Sequence, residues 1–249
     1  KENNQSSELN KFELLERLEW EKDEHIYEHL YPSLNDPNFN KKIGKKKEFN
    51  ETKYDGKIVN INDRAKQLCS AEFVLSPHQQ FVRNFLSFQT PYNSLLLFHG
   101  LGSGKTCSAI SISEEMRDYL KQLGLSQRII VVASPNVQEN FKQQLFNESK
   151  LTLIDGIWEI TGCIGNKLLR EINPMNLKGL SREKVITQIK RLINQAYLFM
   201  GYIEFANYIE KKRTVSETNK KGSASSNKKL RAAFDNRLII IDEVHNIRI

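Results

Sequence analysis

A glycine-rich segment, HGLGSGKT at residues 99–106, has the residue types and spacing to hold a phosphate chain. Its glycines let the backbone fold tightly, so that successive N–H groups point inward at phosphate oxygens. Lys105 can reach the β- and γ-phosphates, and the Thr106 hydroxyl can ligate Mg²⁺. The strict GxxxxGK[ST] pattern has glycine where this sequence has His99. We interpret the segment as a phosphate-binding loop rather than a structural turn, with ATP-binding residues Gly100, Leu101, Gly102, Ser103, Gly104, Lys105 and Thr106.

Two adjacent acids, Asp242 and Glu243, end the apolar run LIIIDEVHN at residues 238–246. Asp242 can hold Mg²⁺ through its water shell, and Glu243 can orient or deprotonate the attacking water. The simpler alternative is a solvated acidic turn after a strand. Phosphoryl transfer needs both a phosphate cradle and a metal site, so each segment supports the other. We predict that Lys105, Asp242 and Glu243 are catalytic and that Thr106 and Asp242 are the metal ligands.

A third, weaker pattern is LSPHQQ at residues 75–80, upstream of the glycine-rich segment. A glutamine amide offers both a donor and an acceptor, which suits the edge of adenine. We select Gln79 over Gln80 for this role. The alternative is an ordinary polar residue at the start of a helix.

These residues need strands and helices to position them, and the sequence from residue 75 onward alternates short apolar runs with helical patterns. Strands without polar alternation, separated by helices, indicate a parallel sheet covered on both faces and therefore an α/β fold. The predicted strands span residues 94–98, 128–133, 197–202 and 238–241. The predicted helices span residues 105–123, 137–147 and 203–211.

The remaining segments divide the chain into residues 1–72, a helical extension with a basic linker, and residues 73–249, the nucleotide-binding lobe. The extension is predicted to contain helices at 8–30 and 62–69, with a Lys-rich linker or arm at 35–54. The lobe is predicted to contain a mostly helical insertion at about 162–194 and a mobile polar loop at about 211–231. That loop either touches phosphates or is a solvated insertion.

Composition adds broad limits. The chain has 249 residues and a net charge of +7, which is compatible with a polyanionic partner. No apolar run is long enough to span a membrane, and the polar start is not a signal peptide. The absence of an initiator Met predicts a fragment or a trimmed chain. Cys69, Cys107 and Cys163 are far apart and lack metal-ligand spacing, so we expect a reducing compartment.

Together these segments resemble the motifs of superfamily II helicases. DEVH resembles the Walker B box, HGLGSGKT motif I, Pro-His-Gln the adenine-reading Q motif, and ASPNVQENF at residues 133–141 motif Ia. TPYNSLLLFHGLGSGKTCSAI and IIIDEVHNIR are similar to helicases of nucleocytoplasmic large DNA viruses. These include mimivirus-like enzymes and the poxvirus helicase-type transcription proteins, namely the early transcription factor's small subunit and nucleoside triphosphatase I. LYPSLNDPNFNKKI at residues 30–43 extends this likeness.

The resemblance implies a RecA-like lobe, with a nucleic-acid backbone contact at Ser134, Pro135 and Asn136. A plain helix-capping turn is the alternative for these three residues. It also implies that His245 couples the ATP site to nucleic acid, with a turn histidine as the alternative. Motors of this family have two such lobes, and the second supplies arginine fingers. We therefore expect this chain to hold most of lobe one, to lack lobe two, and to hydrolyse ATP poorly alone.

The expected activity is that of an ATP- and Mg²⁺-dependent helicase or translocase acting on DNA or RNA. The resemblance implies a role in the viral transcription machinery and a location in the virion or in the viral factory of the host cytoplasm, without membrane association. Two other hypotheses stay open. One is a P-loop ATPase that works without nucleic acid, such as an assembly or packaging motor. The other is a non-catalytic scaffold lobe within a larger complex.

Overall fold

A computed structural model of the chain describes residues 31–54, 75–100, 102–214 and 230–247, with the isolated residues 56, 60 and 62. The predicted helix at 8–30 lies outside the described residues, as do nearly all of the predicted helix at 62–69, most of the predicted loop at 211–231, and Leu101. Within the described residues, no helix is both long and apolar enough to cross a membrane.

The described strands form two sheets. The larger one is parallel and has the order β4–β1–β5, with Val132 opposite Met200 on one side and Ile241 on the other. The smaller one is an antiparallel hairpin of β2 and β3. The strand bounds are β1 Ile129–Val132, β2 Leu151–Ile154, β3 Ile157–Ile160, β4 Tyr197–Met200 and β5 Ile239–Ile241. The predicted strands at 128–133, 197–202 and 238–241 are therefore confirmed, each slightly shortened.

Helices cover both faces of the parallel sheet. Ile129 and Val131 of β1 join the largest buried cluster, and Ile130 and Val132 join a second cluster on the opposite face. Such double coverage explains why β1 is apolar at every position rather than alternating. The helix bounds are α1 Phe39–Lys45, α2 Lys47–Asn50, α3 Pro77–Phe85, α4 Lys105–Gln122, α5 Pro135–Leu145, α6 Lys167–Ile172, α7 Arg182–Ala196 and α8 Tyr202–Thr214.

The predicted helices at 105–123, 137–147 and 203–211 correspond to α4, α5 and α8. Helix α5 begins two residues earlier than expected, because Pro135 occupies its first turn, where proline needs no hydrogen bond and presets the helical φ. The α/β class and the parallel sheet are thus confirmed.

The predicted strand at 94–98 is wrong. These residues have no regular secondary structure and form no ladder with any described strand, and Leu96 and Phe98 are 72% and 95% exposed. An apolar run becomes a strand only where a neighbouring strand accepts its backbone hydrogen bonds. On the side of β5 away from β1, no strand is paired within the described residues.

The predicted linker at 35–54 is also wrong, because this segment folds into α1 and α2. Their apolar side chains, Ile43 and Phe49, are buried beside Phe85 of α3 and Tyr92. The Phe85 and Tyr92 rings stack with centroids 4.4 Å apart. Most lysines of the segment are exposed, and a small, mostly aromatic core lies beneath them. The basic composition of the segment gave no sign of this core.

The segment at 162–194, predicted to be a mostly helical insertion, contains α6 and most of α7. It is attached to α4 through a buried ion network that the sequence did not indicate. Glu114 of α4 is only 2% exposed and binds Arg117 and Lys167, while Arg117 also forms a double hydrogen bond with Glu171 of α6. The Tyr197 hydroxyl donates to Glu114 as well.

Two cysteines are paired, although the sequence was interpreted as having only separated thiols. Cys107 of α4 and Cys163, which precedes α6, form a disulfide with their Cα atoms 5.3 Å apart. Their separation of 56 residues in sequence concealed this proximity. Cys69 lies outside the described residues. Helix α4 is therefore joined to the insertion by both a covalent bond and ion pairs.

Candidate nucleotide-binding site

The glycine-rich loop of residues 99–106 leads directly into α4. Gly102 and Gly104 have φ angles of +77° and +79°, a left-handed conformation that glycine adopts without steric cost. Gly104 is the N-cap of α4, so the free N–H groups of the first helical turn face the loop. This is the arrangement expected of a phosphate cradle, because the N-terminus of a helix favours negative charge.

Lys105 is folded back over its own loop. Its ammonium group donates to the carbonyl oxygen of His99 at 2.8 Å and to that of Gly100 at 3.2 Å. Ser103 closes the same turn, since its hydroxyl donates to the Gly100 carbonyl at 2.9 Å. Thr106 is half-buried in the first turn of α4. The predicted phosphate contact of Lys105 therefore requires these carbonyl contacts to be exchanged for phosphate oxygens.

The start of α3 is hydrogen-bonded to the glycine-rich loop. The His78 ring donates from Nε2 to the Ser103 carbonyl at 2.8 Å, while the Tyr54 hydroxyl lies 3.0 Å from its Nδ1. The donor is assigned to Nε2 because a carbonyl oxygen can only accept. No pattern in the sequence indicated that His78 would contact the loop.

Gln79 is buried, and both ends of its amide are bonded within the protein. Its Nε2 donates to the Gly104 carbonyl at 3.2 Å, and its Oε1 accepts from the backbone N–H of Ser76 at 2.9 Å. The latter contact belongs to a capping box that starts α3. The adenine-reading role of Gln79 stays a prediction, and it requires one of these bonds to be exchanged.

The acidic turn follows β5 at the carboxyl edge of the sheet. Both backbone polar groups of Asp242 are bonded: its N–H donates to Val132 of β1 at 2.9 Å, and its carbonyl accepts from the Tyr202 hydroxyl at 2.9 Å. Burial raises the pKa of the Asp242 carboxyl and the neighbouring charge of Glu243 adds to this, while the Lys105 ammonium opposes it. The loop and the acidic turn are thus close enough for their charges to interact.

Glu243 has a strained backbone, with φ of +45°, although it is not glycine. Its exposed carboxylate lies 3.3 Å from Nδ1 of His245 in the short turn Val244–Asn246. His245 is itself 72% exposed at its side chain. The predicted coupling role of His245 therefore stays a prediction, supported only by this contact with Glu243.

The predicted nucleic-acid contacts lie on the same edge, at the end of β1. Ser134 is the N-cap of α5, and Pro135 and Asn136 begin that helix with exposed side chains. Ser134 and Pro135 line a groove of about 520 Å³, whose other wall is the start of α8 with Tyr202. Ser134 makes no side-chain capping bond, so its hydroxyl is not committed to the helix-capping alternative.

The residues suit Mg²⁺ in a phosphate-dependent site. Mg²⁺ is usually bound by one or two protein oxygens together with substrate phosphates. Thr106 and Asp242 supply such oxygens. The pKa of Asp242 is raised first by burial and then by the neighbouring charge of Glu243, and a bound cation would offset both effects. Among the described residues, no group of three or more His, Cys, Asp or Glu side chains forms a site for a permanently held metal.

Comparisons with known proteins give distant relatives in large DNA viruses. The chain is 28% identical over 238 residues to a protein of Acanthamoeba polyphaga mimivirus named "Putative ATP-dependent RNA helicase". This match covers 88% of the chain and 20% of the relative. A second mimivirus protein of the same description is 26% identical over 218 residues, covering 87% of the chain and 31% of the relative.

A protein of Frog virus 3 (isolate Goorha) named "Putative helicase" is 28% identical over 173 residues, covering 69% of the chain and 15% of the relative. The chain thus spans less than a third of the length of each of these relatives. No protein-family model matches the chain, and no solved structure matches it significantly. The chain is therefore similar to helicases of large DNA viruses at the level of distant homology.

Proposed function

We propose that the chain is the ATP-binding lobe of a nucleic-acid helicase or translocase with a RecA-like fold. The observation that carries the proposal is the geometry of the glycine-rich loop, in which the left-handed Gly102 and Gly104 lead directly into the free N–H groups at the start of α4. Two further segments that resemble motor motifs, the start of α5 and the acidic turn, follow β1 and β5 at the carboxyl edge of the sheet, where ligands of open α/β folds bind. Distant similarity to helicases of large DNA viruses supports the same function.

Each residue of the site then has a defined task. The N–H groups of the loop and the start of α4 bind phosphate oxygens, and Lys105 moves from the His99 carbonyl to the β- and γ-phosphates. Thr106 and Asp242 would hold Mg²⁺, which would supply positive charge beside the phosphates when bound. Glu243 orients or deprotonates the attacking water.

The wider context is proposed from the resemblance of the motifs to viral helicases. Because the chain spans only 15–31% of the three relatives, the activity of the whole protein is part of the proposal. We infer a role in viral transcription and kinship with the poxvirus helicase-type transcription proteins. Intracellular viral factories and virions are the corresponding locations. DNA and RNA are both retained as substrates, because backbone contacts do not distinguish bases.

ATP binding is tested with Lys105→Ala. The variant removes a charge-assisted contact, so affinity for a fluorescent ATP analogue in Mg²⁺ should fall by roughly 10- to 150-fold. Lys121→Ala is the matched control, because Lys121 lies at the other end of α4 and binds Glu171 on the surface. Equal affinity of the Lys105→Ala variant and the wild-type protein would contradict the assignment of the loop.

Nucleic-acid binding is tested with the double variant Ser134→Ala, Asn136→Ala. Affinity for labelled single-stranded oligonucleotides should fall several-fold for every sequence, while ATP affinity without oligonucleotide stays unchanged. Asn140→Ala, an exposed change further along α5, is the control. Wild-type ATP binding and turnover without any oligonucleotide binding would instead favour the nucleic-acid-independent ATPase. Nucleotide binding without turnover in the full-length protein would favour the scaffold lobe.

A further inference from the structure

Tyr202, the first residue of α8, is bonded to the acidic turn. Its ring packs against the buried cluster of Ile130, Val132 and Met200 on one face of the sheet. Its hydroxyl donates to the backbone carbonyl of Asp242 at 2.9 Å, a contact between residues 40 positions apart. A phenylalanine would pack equally well in this cluster, so the hydroxyl serves the contact with Asp242 rather than the core.

The same side chain also lines the groove at the end of β1. Ser134 and Pro135 form one wall of this groove, and Tyr202 and Asn207 of α8 form the other. Tyr202 therefore contacts two places at once: the groove beside the start of α5, and the backbone of the residue that we assign to Mg²⁺. His245, the coupling residue suggested by the resemblance, is not part of the groove lining.

Asp242 is well placed to respond to Tyr202. Its N–H is fixed to the Val132 carbonyl, which is part of the sheet and does not depend on the groove. Among the described residues, its carbonyl accepts a hydrogen bond only from the Tyr202 hydroxyl. A shift of Tyr202 thus changes the peptide unit between Asp242 and Glu243, and with it the direction of both carboxylates.

We propose that Tyr202 is a positioning residue that links occupancy of the groove to the placement of Asp242. This inference rests on the proposed function, since it takes the groove as a site for nucleic-acid backbone and Asp242 as a Mg²⁺ ligand. A strand in the groove presses on the Tyr202 ring, and the hydroxyl conveys the displacement to the acidic turn. Binding of nucleic acid and of ATP with Mg²⁺ is thereby coupled, and the coupling is reciprocal.

The test is Tyr202→Phe, which removes only the hydroxyl. Two quantities are measured by fluorescence: the Mg²⁺ concentration for half-maximal binding of an ATP analogue, and the ratio of oligonucleotide affinities with and without that analogue and Mg²⁺. In the variant the Mg²⁺ midpoint should rise roughly three- to tenfold, as expected for one lost hydrogen bond. The affinity ratio should move toward one.

Tyr208→Phe is the matched control, because Tyr208 lies on the same helix and its hydroxyl is also hydrogen-bonded, as the acceptor from Arg237 at 2.9 Å. It should leave both quantities at their wild-type values. A Tyr202→Phe protein with an unchanged Mg²⁺ midpoint and an unchanged affinity ratio would overturn the inference. If the wild-type protein binds no oligonucleotide, the proposed function fails, and the Mg²⁺ midpoint alone then decides whether Tyr202 positions Asp242.

Discussion

Glu243 combines an exposed carboxylate with a backbone conformation that side chains rarely adopt. Strain of this kind persists where neighbouring contacts fix the turn, as the bond from the Asn246 N–H to the Glu243 carbonyl at 2.8 Å does here. The turn presents the carboxylate next to Asp242 rather than burying it. This geometry suits a group that must handle a water molecule.

Glu243→Gln should therefore separate binding from hydrolysis. The change keeps the shape of the side chain and removes its basicity, so ATP-analogue affinity should stay within about twofold while turnover falls by about 10²-fold or more. Steady-state ATPase assays and binding titrations on the full-length protein measure the two quantities. Glu139→Gln, an exposed acid on α5, serves as the control. Unimpaired turnover of the Glu243→Gln protein would move the role to another residue.

Asp242 gives a pH-dependent prediction. Because its pKa is raised in the folded chain, Mg²⁺ competes with a proton at a higher pH than it would at an ordinary aspartate. Mg²⁺-dependent nucleotide binding should therefore weaken, as pH falls, already above the usual aspartate pKa of 3.8. Binding titrations at a series of pH values measure this midpoint, and a midpoint at or below that of a free aspartate contradicts the prediction.

Lowering the pH should have the opposite effect on the stability of the fold, which it increases. A raised folded-state pKa means that the ionised carboxylate destabilises the fold at every pH above that pKa, and that this cost disappears as pH falls toward 3.8. Asp242→Asn removes the charge, so without nucleotide the variant should be at least as stable as the wild-type chain near neutral pH. Thermal melts of both proteins across this range provide the measurement.

At the scale of elements, the attachment of α6 to α4 depends on buried charges. Burial alone would raise the pKa of Glu114, but Arg117 and Lys167 outweigh it and the pKa is lowered. Hydrogen bonds from Arg117 are the largest cause of the low pKa of Glu171, about 2. A network in which every charge is paired supports a defined docking geometry, and the loss of one partner leaves the others uncompensated.

Arg117→Ala should lower the free energy of unfolding by about 3 kcal/mol, because Glu114 stays buried with only Lys167 and Tyr197 as partners. Lys142→Ala, which removes a surface pair with Glu139 and a cation–π contact with Phe199, should cost at most about 1.5 kcal/mol. Denaturant unfolding measures both changes. Equal effects of the two variants would show that the network contributes no more than surface charges do.

An element can be predicted from the sequence when its signal is local, and not when it depends on contacts with a distant segment. Local signals made four elements predictable. The closely spaced glycines indicate the start of α4, and uninterrupted apolar runs indicate β1, β4 and β5. The hairpin of β2 and β3 was missed, although Asp155-Gly156 between apolar runs is a recognised turn signal. The segment at 94–98 has the composition of a strand, but pairing is a property of two segments and not of one.

The candidate site shows the same limit. The loop at 99–106 and the acids after β5 were found from spacing, since their chemistry requires consecutive residues. The contacts of His78 and Tyr202 join positions 25 and 40 residues apart and have no sequence pattern of their own. Likewise, α1 and α2 were mistaken for a linker because three or four apolar residues among many lysines carry little periodic signal.

At the scale of the whole molecule, the disulfide between Cys107 and Cys163 links α4 to the segment that contains α6 and α7. Closing a loop of this length reduces the entropy of the unfolded chain, which is worth about 4 kcal/mol in the loop-entropy model. Adding reductant should therefore lower the melting temperature of the oxidised wild-type chain. Cys163→Ser should melt at the lower temperature with or without reductant. A melting temperature that reductant does not change would contradict this prediction.

The packing of Gln79 against Gly104 determines which substitutions these two positions tolerate. A Cβ on Gly104 would lie 2.3 Å from Nε2 of Gln79, and the φ of +79° would strain any side chain there. Gly104→Ala thus incurs two separate costs, and shortening Gln79 to alanine removes only the steric one. The two positions should consequently show epistasis, with Gln79→Ala harmful in the wild-type background yet partly compensating in the Gly104→Ala background.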